Sequence, residues 1–499
     1  MSENTSGRSL LKKLSAWRWR QSNRLRHRLF RLSPRFFTPK RYRESLERDR
    51  AKDAAENEKY KVSEDQFYRV YALLSVEYFA PSHMDDLIRS IEQAGWDPLS
   101  VRGESTSDWI RQSRMTLEGG NWLNFGELVR PSERHRFLGE PSTAEMPDWC
   151  DYINLQLSQL TPSLTACTAV FYLKPEQRLD LVEIANKKHV SNIDPAPKGG
   201  YSFNAPVFLK DDEIGARRRG WAEDARAWFK AHLPGLFSSR TSHLQAPITE
   251  IGMIDTLEPF APKESPDNRH QTLDTFKLYD YWEAWRSVDI SSLKFSQRVR
   301  HLRVDLSDYS VAAMSRNDKT ALENAGVTDA SPELVRMMRS TIALLGVHQV
   351  LRNYTRVLSE ARDTLSASRR TSSPLRQANS LKARHVSLAD IEMVLGELSD
   401  EGLGRFAQCE TAKFEHQEVV DGKSLDLTEE IEKRLMQDAT RLARLNRSVN
   451  QMISERQSIV TSTAMLRLAQ LTILLAILAI VTTNWEALFE TANQLRNLL

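Results

Sequence analysis

Residues Phe67–Trp96 read FYRVYALLSVEYFAPSHMDDLIRSIEQAGW. Phe67 to Phe79 is rich in aromatic and β-branched residues, the composition of a strand. Pro81 ends it. Ser82 followed by Asp85 resembles a capping box at a helix start. Met84, Leu87, Ile88, Ile91 and Ala94 then fall on one helical face, and Gly95 stops the helix. The stretch predicts a strand–helix unit.

A second stretch, LTACTAVFYLKPEQRLDLVEIANKKH, repeats the pattern at an offset of 94 residues. Val76, Tyr78, Pro81, Asp86, Leu87 and Ile88 line up with Val170, Tyr172, Pro175, Asp180, Leu181 and Val182. One reading is a duplicated α+β head with ferredoxin-like halves. The other is chance, because amphipathic strand–helix units look alike. Before the second unit, YINLQLSQL alternates as a strand, with Ile153, Leu155 and Leu157 on one face.

Further along, a helix is expected over 211–233, and short strands at ITEIGMIDTL and VRHLRVDL. A long helix follows, opened by Ser331 and Pro332. The basic, Ser-rich run ASRRTSSPLRQANSLKARH reads as a linker. Another helical segment, SLADIEMVLGELSDEGLGRFA, comes after it. Then Ile431, Leu445, Met452, Ile459 and Leu466 share one heptad position, and Leu435, Leu442 and Val449 share another. Two environments suit that pattern: an oligomeric coiled-coil stalk, or an amphipathic helix packed on its own domain. Arg456 occupies a seam position, where burial is costly.

The heptads run into Met465–Trp485, twenty-one mainly apolar residues with a wholly apolar centre, ILLAILAIV. A bilayer core needs about twenty such residues in a helix. Arg467 near one end can snorkel, and Trp485 at the other suits an interfacial anchor. Arg441, Arg444, Arg447 and Arg456 precede the segment and Arg467 lies in its first turn, whereas Arg496, Glu486 and Glu490 follow it. The positive-inside rule then places the bulk of the chain in the cytoplasm. The tail spaces Trp485, Leu488, Phe489, Ala492 and Leu495 helically, as an interfacial helix would.

Over 499 residues the chain holds 40% hydrophobic and 27% charged residues, enough for two to four domains. A mean hydropathy of −0.49 excludes a polytopic membrane protein. Three widely spaced cysteines, Cys150, Cys167 and Cys409, form neither a disulfide framework nor a zinc motif. They suit a reducing compartment. Net charge is only +3, but Arg8 to Arg50 holds fifteen Lys/Arg against three acids. There Trp17, Trp19, Phe30, Phe36 and Phe37 are interleaved with Arg18, Arg20, Arg24, Arg26, Arg28, Arg31 and Arg35. Anionic lipid, nucleic acid, a mitochondrial presequence and a solvated tail are the competing readings. On the first, Arg18, Arg20, Arg24, Arg28, Arg31, Trp17 and Trp19 would meet a membrane surface.

Chemistry is weakly signalled. Asp305 and Asp308 in RVDLSDYS follow an expected strand, where a carboxylate pair can hold a divalent ion, though such a pair more often makes a turn. Lys198, Gly199 and Gly200 in PAPKGGYSFN can approach a phosphate, but the stretch lacks the P-loop and dinucleotide patterns. Trp282 and Trp285 in YDYWEAWRS are core anchors or a binding surface. No cofactor is expected and no catalytic signature is present. The order of parts loosely resembles CorA-type magnesium channels. Those have two spans and a Gly-Met-Asn signature, whereas Thr482, Thr483, Asn484 and Trp485 close the segment here, so a channel is not expected.

The expected layout is a basic segment (1–58), an α+β head (59–240) and a mixed part ending in a long helix (241–366). A linker (367–385), a helical region with a coiled-coil stalk (386–464), a single transmembrane helix (465–485) and a short tail (486–499) complete it. The stalk seam would comprise Leu435, Leu442, Leu445, Val449, Met452 and Ile459. The expected function is a tail-anchored, oligomeric cytoplasmic sensor or scaffold with an unidentified protein partner. Its seat would be a bacterial inner membrane, a layout suited to stress or phage-defence signalling. A pore-forming effector built from clustered spans and a tail-anchored metal-dependent enzyme are the alternatives.

Overall fold

The computed structural model describes residues 40–62, 67–96, 105–115, 121–136, 141–195, 201–238, 245–255, 276, 283–290, 292–299, 306–316, 331–367, 388–400, 402–403, 413–416 and 426–496. At its centre lies β1 (Tyr68–Phe79), buried along nearly its whole length. A strand covered on both faces needs no polar alternation, which explains the continuous apolar run. One face carries Tyr71, Ala72, Leu74, Val76 and Tyr78; the other carries Tyr68, Val70, Leu73 and Phe79. The switch in parity comes from a bulge between Val70 and Ala72.

Around β1 a ten-stranded mixed sheet forms. Its members are β2 (Trp122–Val129), β3 (Ser142–Thr143), β4 (Cys150–Thr161), β5 (Leu164–Leu173), β8 (Ile248–Ile254), β9 (Glu283–Ser287), β10 (Lys294–Val299), β11 (Leu306–Ser315) and β12 (Phe414–His416). The order is β12-β9-β10-β11-β8-β1-β5-β4-β2-β3. Among the described residues, only β8/β11 and β2/β3 pair in parallel. A separate hairpin joins β6 (Asn192–Pro195) to β7 (Tyr201–Asn204). The sheet passes without a break across position 240, so residues on both sides of that expected boundary share one core. Of the expected strand VRHLRVDL, Val299 closes β10 and Leu306 opens β11, and residues 300–305 lie outside the described residues.

Helices cover both faces. On one side lie α1 (Lys40–Arg50), α2 (Asp53–Lys59), α3 (Met84–Ala94), α4 (Thr106–Ser113), α5 (Asp180–Asn186) and α6 (Pro206–His232), the last four contributing to the core against the sheet. On the other lie α7 (Ser331–Ala367), α8 (residues 388–400) and the first half of α9 (Leu427–Thr483). A short α10 (Trp485–Arg496) follows.

The two strand–helix units stand side by side, with β1 and β5 antiparallel. Each turns through a short 3-10 helix, at Pro81–His83 and Pro175–Gln177, positions again 94 apart. That turn replaces the expected capping box: His83 precedes α3 and makes no side-chain cap. Gly95 does end α3, at a left-handed φ of 68°. The Trp96 amide donates to the Ile91 carbonyl at 3.0 Å and closes a Schellman-type cap. The Trp96 ring then stacks on Trp228 of α6 at 5.8 Å, which carries the chain reversal into the core.

Close backbone approach explains two glycines. A Cβ at Gly346 of α7 would come within 2.1 Å of the Tyr78 hydroxyl, which donates to the Ala343 carbonyl. A Cβ at Gly235 would come within 2.5 Å of the Tyr78 carbonyl.

The heptad stripe of α9 faces its own chain. Ile431, Leu435, Leu442, Val449 and Ile453 are buried in the core shared with α7 and α8, and Leu445 and Met452 pack against it. Of the expected seam, only Ile459 is exposed, at 65%. Intramolecular packing therefore takes the surface that a coiled coil between copies would need.

Candidate functional site

Two regions stand out: the exposed half of α9, and a cleft where α9 lies against α7. Asp426 caps α9, its carboxylate accepting from the Glu429 amide at 3.0 Å, and Glu429 and Glu430 suit the positive end of the helix dipole. The helix then runs unbroken for 57 residues. Its buried half ends at Ile453. From Met465 to Val481 its large apolar side chains are exposed, among them Leu474 at 62% and Leu478 at 56%. A soluble monomer seldom leaves more than a few hundred Å² of contiguous apolar surface bare. The segment is a candidate membrane span, with a mean hydropathy of 2.3 over its most apolar stretch and none of that stretch buried. Its hydroxyls turn inward: Thr472 donates to the Leu468 carbonyl and Thr482 to the Leu478 carbonyl, each at 2.9 Å. Thr483 likewise donates to the Ala479 carbonyl. Satisfied within the helix, they present little polarity to lipid. Arg467 is exposed at the head-side end. At the other end Trp485 is 58% exposed, its ring 6.3 Å from that of Phe489.

Back in the head, a cleft of about 480 Å³ opens between α7 and α9. Leu351, Leu442 and His348 form its buried floor, and Arg352, Arg362, Asp438 and Arg441 stand exposed at its mouth. His348 is only 8% exposed, and its Nε2 has no hydrogen-bond partner among the described residues. Burial, together with the positive charges of Arg434 and Arg352, pushes its pKa down to about 4, so the ring is neutral near pH 7. A second, more open cavity of about 590 Å³ lies on the opposite face, lined by Glu145, Asp148, Trp149, Arg217, Asp224 and Trp228. Its polar groups are occupied with one another: the Trp149 Nε1 donates to Asp224 at 2.9 Å, and Arg217 donates to Gln177 at 2.6 Å.

Two buried carboxylates lie inside the sheet. Glu250 of β8 accepts from Arg218 of α6 through two bonds of 2.8 Å, from the Tyr68 hydroxyl at 2.6 Å and from the Tyr309 hydroxyl at 2.5 Å. Burial would raise its pKa, but the Arg218 charge and these hydrogen bonds outweigh it and hold the carboxylate below its ordinary range. Arg218 also donates to the Phe276 carbonyl at 2.7 Å. The network ties three strands to α6, and its acceptor is fully engaged.

Glu77 of β1 accepts from the amides of Tyr78, Phe237 and Ser238 at 3.0, 2.7 and 3.0 Å. The Ser238 hydroxyl donates to it as well. Burial nonetheless pushes its pKa up to about 7, against an ordinary 4.5. A raised carboxyl pKa means that the folded chain binds more protons than the unfolded one between about pH 4.5 and 7. Stability is therefore expected to fall as pH rises through that window, by about 3 kcal/mol at most, and to level off above it. Denaturant midpoints from pH 4.5 to 8 measure this; the slope should flatten in Glu77→Gln, and an equal slope in both proteins would refute the assignment.

Most of the expected chemical residues lie outside the described residues. Asp308 lies on β11, while Asp305 lies outside the described residues. Lys198, Gly199 and Gly200 also lie outside them, between the strands of the β6–β7 hairpin. So do Arg18, Arg20, Arg24, Arg28, Arg31, Trp17 and Trp19, as well as Trp282 and Cys409. Trp285 is buried in the core of β9, not on a binding surface. Cys150 and Cys167 are buried, and burial pushes both thiols well above their ordinary pKa. No group of three or more His, Cys, Asp or Glu side chains able to hold a metal ion occurs among the described residues. The α7–α9 cleft was not anticipated from the sequence. Its signal was the spacing of His348, Arg352, Thr355, Ser359 and Arg362 on one helical face.

The chain matches no known protein family, no curated protein and no solved structure.

Proposed function

We propose that the protein is a membrane-anchored sensor or scaffold, with a cytoplasmic α/β head joined to its span by one continuous helix. A single observation carries the reading: the first half of α9 is built into the head's core, and its second half is apolar and bare. From Ile453, the last buried position, to Met465 is twelve residues, or about 18 Å of helix at 1.5 Å per residue. A span so attached cannot tilt independently of the head. The arginines ahead of the span favour a cytoplasmic head. The inward-turned threonines favour a lipid-facing anchor over the polar lining of a pore.

Within the head, β1–α3 and β5–α5 are read as the two halves of one ferredoxin-like unit. The antiparallel order β8-β1-β5-β4 supports this, as does the matching 3-10 turn in each half.

The test is fractionation. The full chain is expected in the membrane pellet after an alkaline carbonate wash, and residues 1–464 in the supernatant. Recovery of the full chain in the supernatant would overturn the reading.

A further inference from the structure

We propose that the apolar half of α9 pairs with the same segment of a second, parallel copy of the chain, through a face that carries Gln470 and Asn484. The inference rests on the anchor reading, because the contact lies inside the bilayer. The series Leu435, Leu442 and Val449, buried in the head, continues at the same spacing to Gln470, Ile477 and Asn484. The companion series through Leu445, Met452 and Ile459 continues to Leu466, Ile473 and Ile480. At about 3.6 residues per turn, Gln470, Ile473, Ile477, Ile480 and Asn484 fall within an arc of about 80°. The leucines from Leu468 to Leu478 fall on the other side of the helix, within about 120°. The span thus has two unlike sides. One is leucine, suited to lipid tails; the other is isoleucine with a carboxamide at each end.

The carboxamides decide what covers that second side. Gln470 and Asn484 are 14 residues apart, about 21 Å along the helix. A hydrocarbon core is about 30 Å thick, so a span centred on this stretch holds both amides inside it. Lipid tails offer them no hydrogen bond. Both side chains are exposed, and neither has a hydrogen-bond partner among the described residues. Those residues include no second candidate span, so a partner helix comes from another molecule. A carboxamide both donates and accepts, so it pairs with its own kind. A parallel copy brings Gln470 to Gln470 and Asn484 to Asn484 at matching depths, with the isoleucines packed between them. The head does not stand in the way. A straight helix turns a heptad series by about 20° per repeat, or about 100° over the five repeats from Leu442 to Ile477. The face buried in the head therefore points to a different side in the span.

The experiment is disulfide cross-linking of the full chain in membranes, with two differently tagged copies expressed together at low level. Cys409→Ser forms the background, and the buried Cys150 and Cys167 stay native. Ile473→Cys and Ile477→Cys probe the proposed face; Leu471→Cys and Leu475→Cys probe the other. Oxidation with copper phenanthroline is expected to give a product of twice the chain mass that carries both tags. The isoleucine positions should yield about fivefold more of it than the leucine positions. Adding Gln470→Leu with Asn484→Leu to Ile477→Cys is expected to lower its yield about fivefold. These two substitutions keep the segment apolar, so insertion is preserved, and a carbonate wash of the same membranes checks it. Equal yields from both sides signal random encounter and overturn the proposal. So does an unchanged yield without the amides. A product that never carries both tags assigns the face to a different protein and overturns the second copy. Absence of any cross-link in a chain that resists the wash overturns the pairing and leaves the anchor standing. A chain that washes off refutes the anchor, and the pairing with it.

Discussion

Replacing Arg218 with leucine is expected to destabilise the head by about 3–5 kcal/mol, the cost of stranding a buried charge. Glu250 is fully buried, and Arg218 is the cation that holds it ionised. Without the guanidinium, the carboxylate keeps the Tyr68 and Tyr309 hydroxyls but loses its counter-charge. The Phe276 carbonyl loses a donor at the same time. Neutralising the carboxyl as well should recover part of the loss, because an amide in that place carries no charge to strand. The double variant Arg218→Leu/Glu250→Gln is therefore expected to be more stable than Arg218→Leu alone. Denaturant unfolding of the native chain, the two single variants Arg218→Leu and Glu250→Gln, and the double variant gives the coupling directly. A loss below about 1 kcal/mol in the single variant would mean that water reaches Glu250 and that the network does not lock β1, β8 and β11 to α6.

What the sequence discloses about this fold divides along local and non-local lines. The β1–α3 unit was readable because its signals are consecutive: an apolar β-rich run, Pro81, a helical face and Gly95. The β5–α5 unit, α6, α7 and the apolar end of α9 were readable for the same reason. Pairings were not. Nothing near Ile248 announces that β8 lies between β1 and β11, so an expected boundary at 240 falls inside a single sheet. Short strands such as β9 and β12 carry too few residues to show a period. The α9 heptads make the general point. Leu435, Leu442 and Val449 define an apolar face, but a face does not name its neighbour. The periodicity that suits a second copy suits α7 and α8 equally well, and here they bury it. The cleft follows the same logic: His348 and Arg441 are 93 positions apart, and only the packing of α7 on α9 brings them to one cavity.

Placing two charges in the centre of the apolar helix, Leu474→Arg with Leu478→Arg, is expected to abolish carbonate-resistant membrane association. Each arginine at the middle of a span costs about 2.5–3.5 kcal/mol on the insertion scale, so the pair removes roughly 5–7 kcal/mol. The native segment holds no charge between Leu468 and Trp485, and an apolar stretch of that length has little to offset such a loss. Snorkelling gives small relief at Leu474, nine residues from either end of α9's apolar stretch, and partial relief at Leu478, five residues before Thr483, so the loss is expected toward the lower end of that range. The head should be unaffected: Leu474 and Leu478 are 62% and 56% exposed and belong to neither core. Its unfolding midpoint therefore serves as the internal control. Ile459→Arg supplies the contrast. It too is exposed, at 65%, but it lies six residues before Met465, in the length of helix between head and span, where a charge stays in water. That variant should remain in the membrane pellet. If all three substitutions release the chain, the exposed length of α9 is held by a protein surface running back toward the head. If the double variant stays in the pellet, the anchor lies elsewhere in the chain, and the bare helix needs another partner.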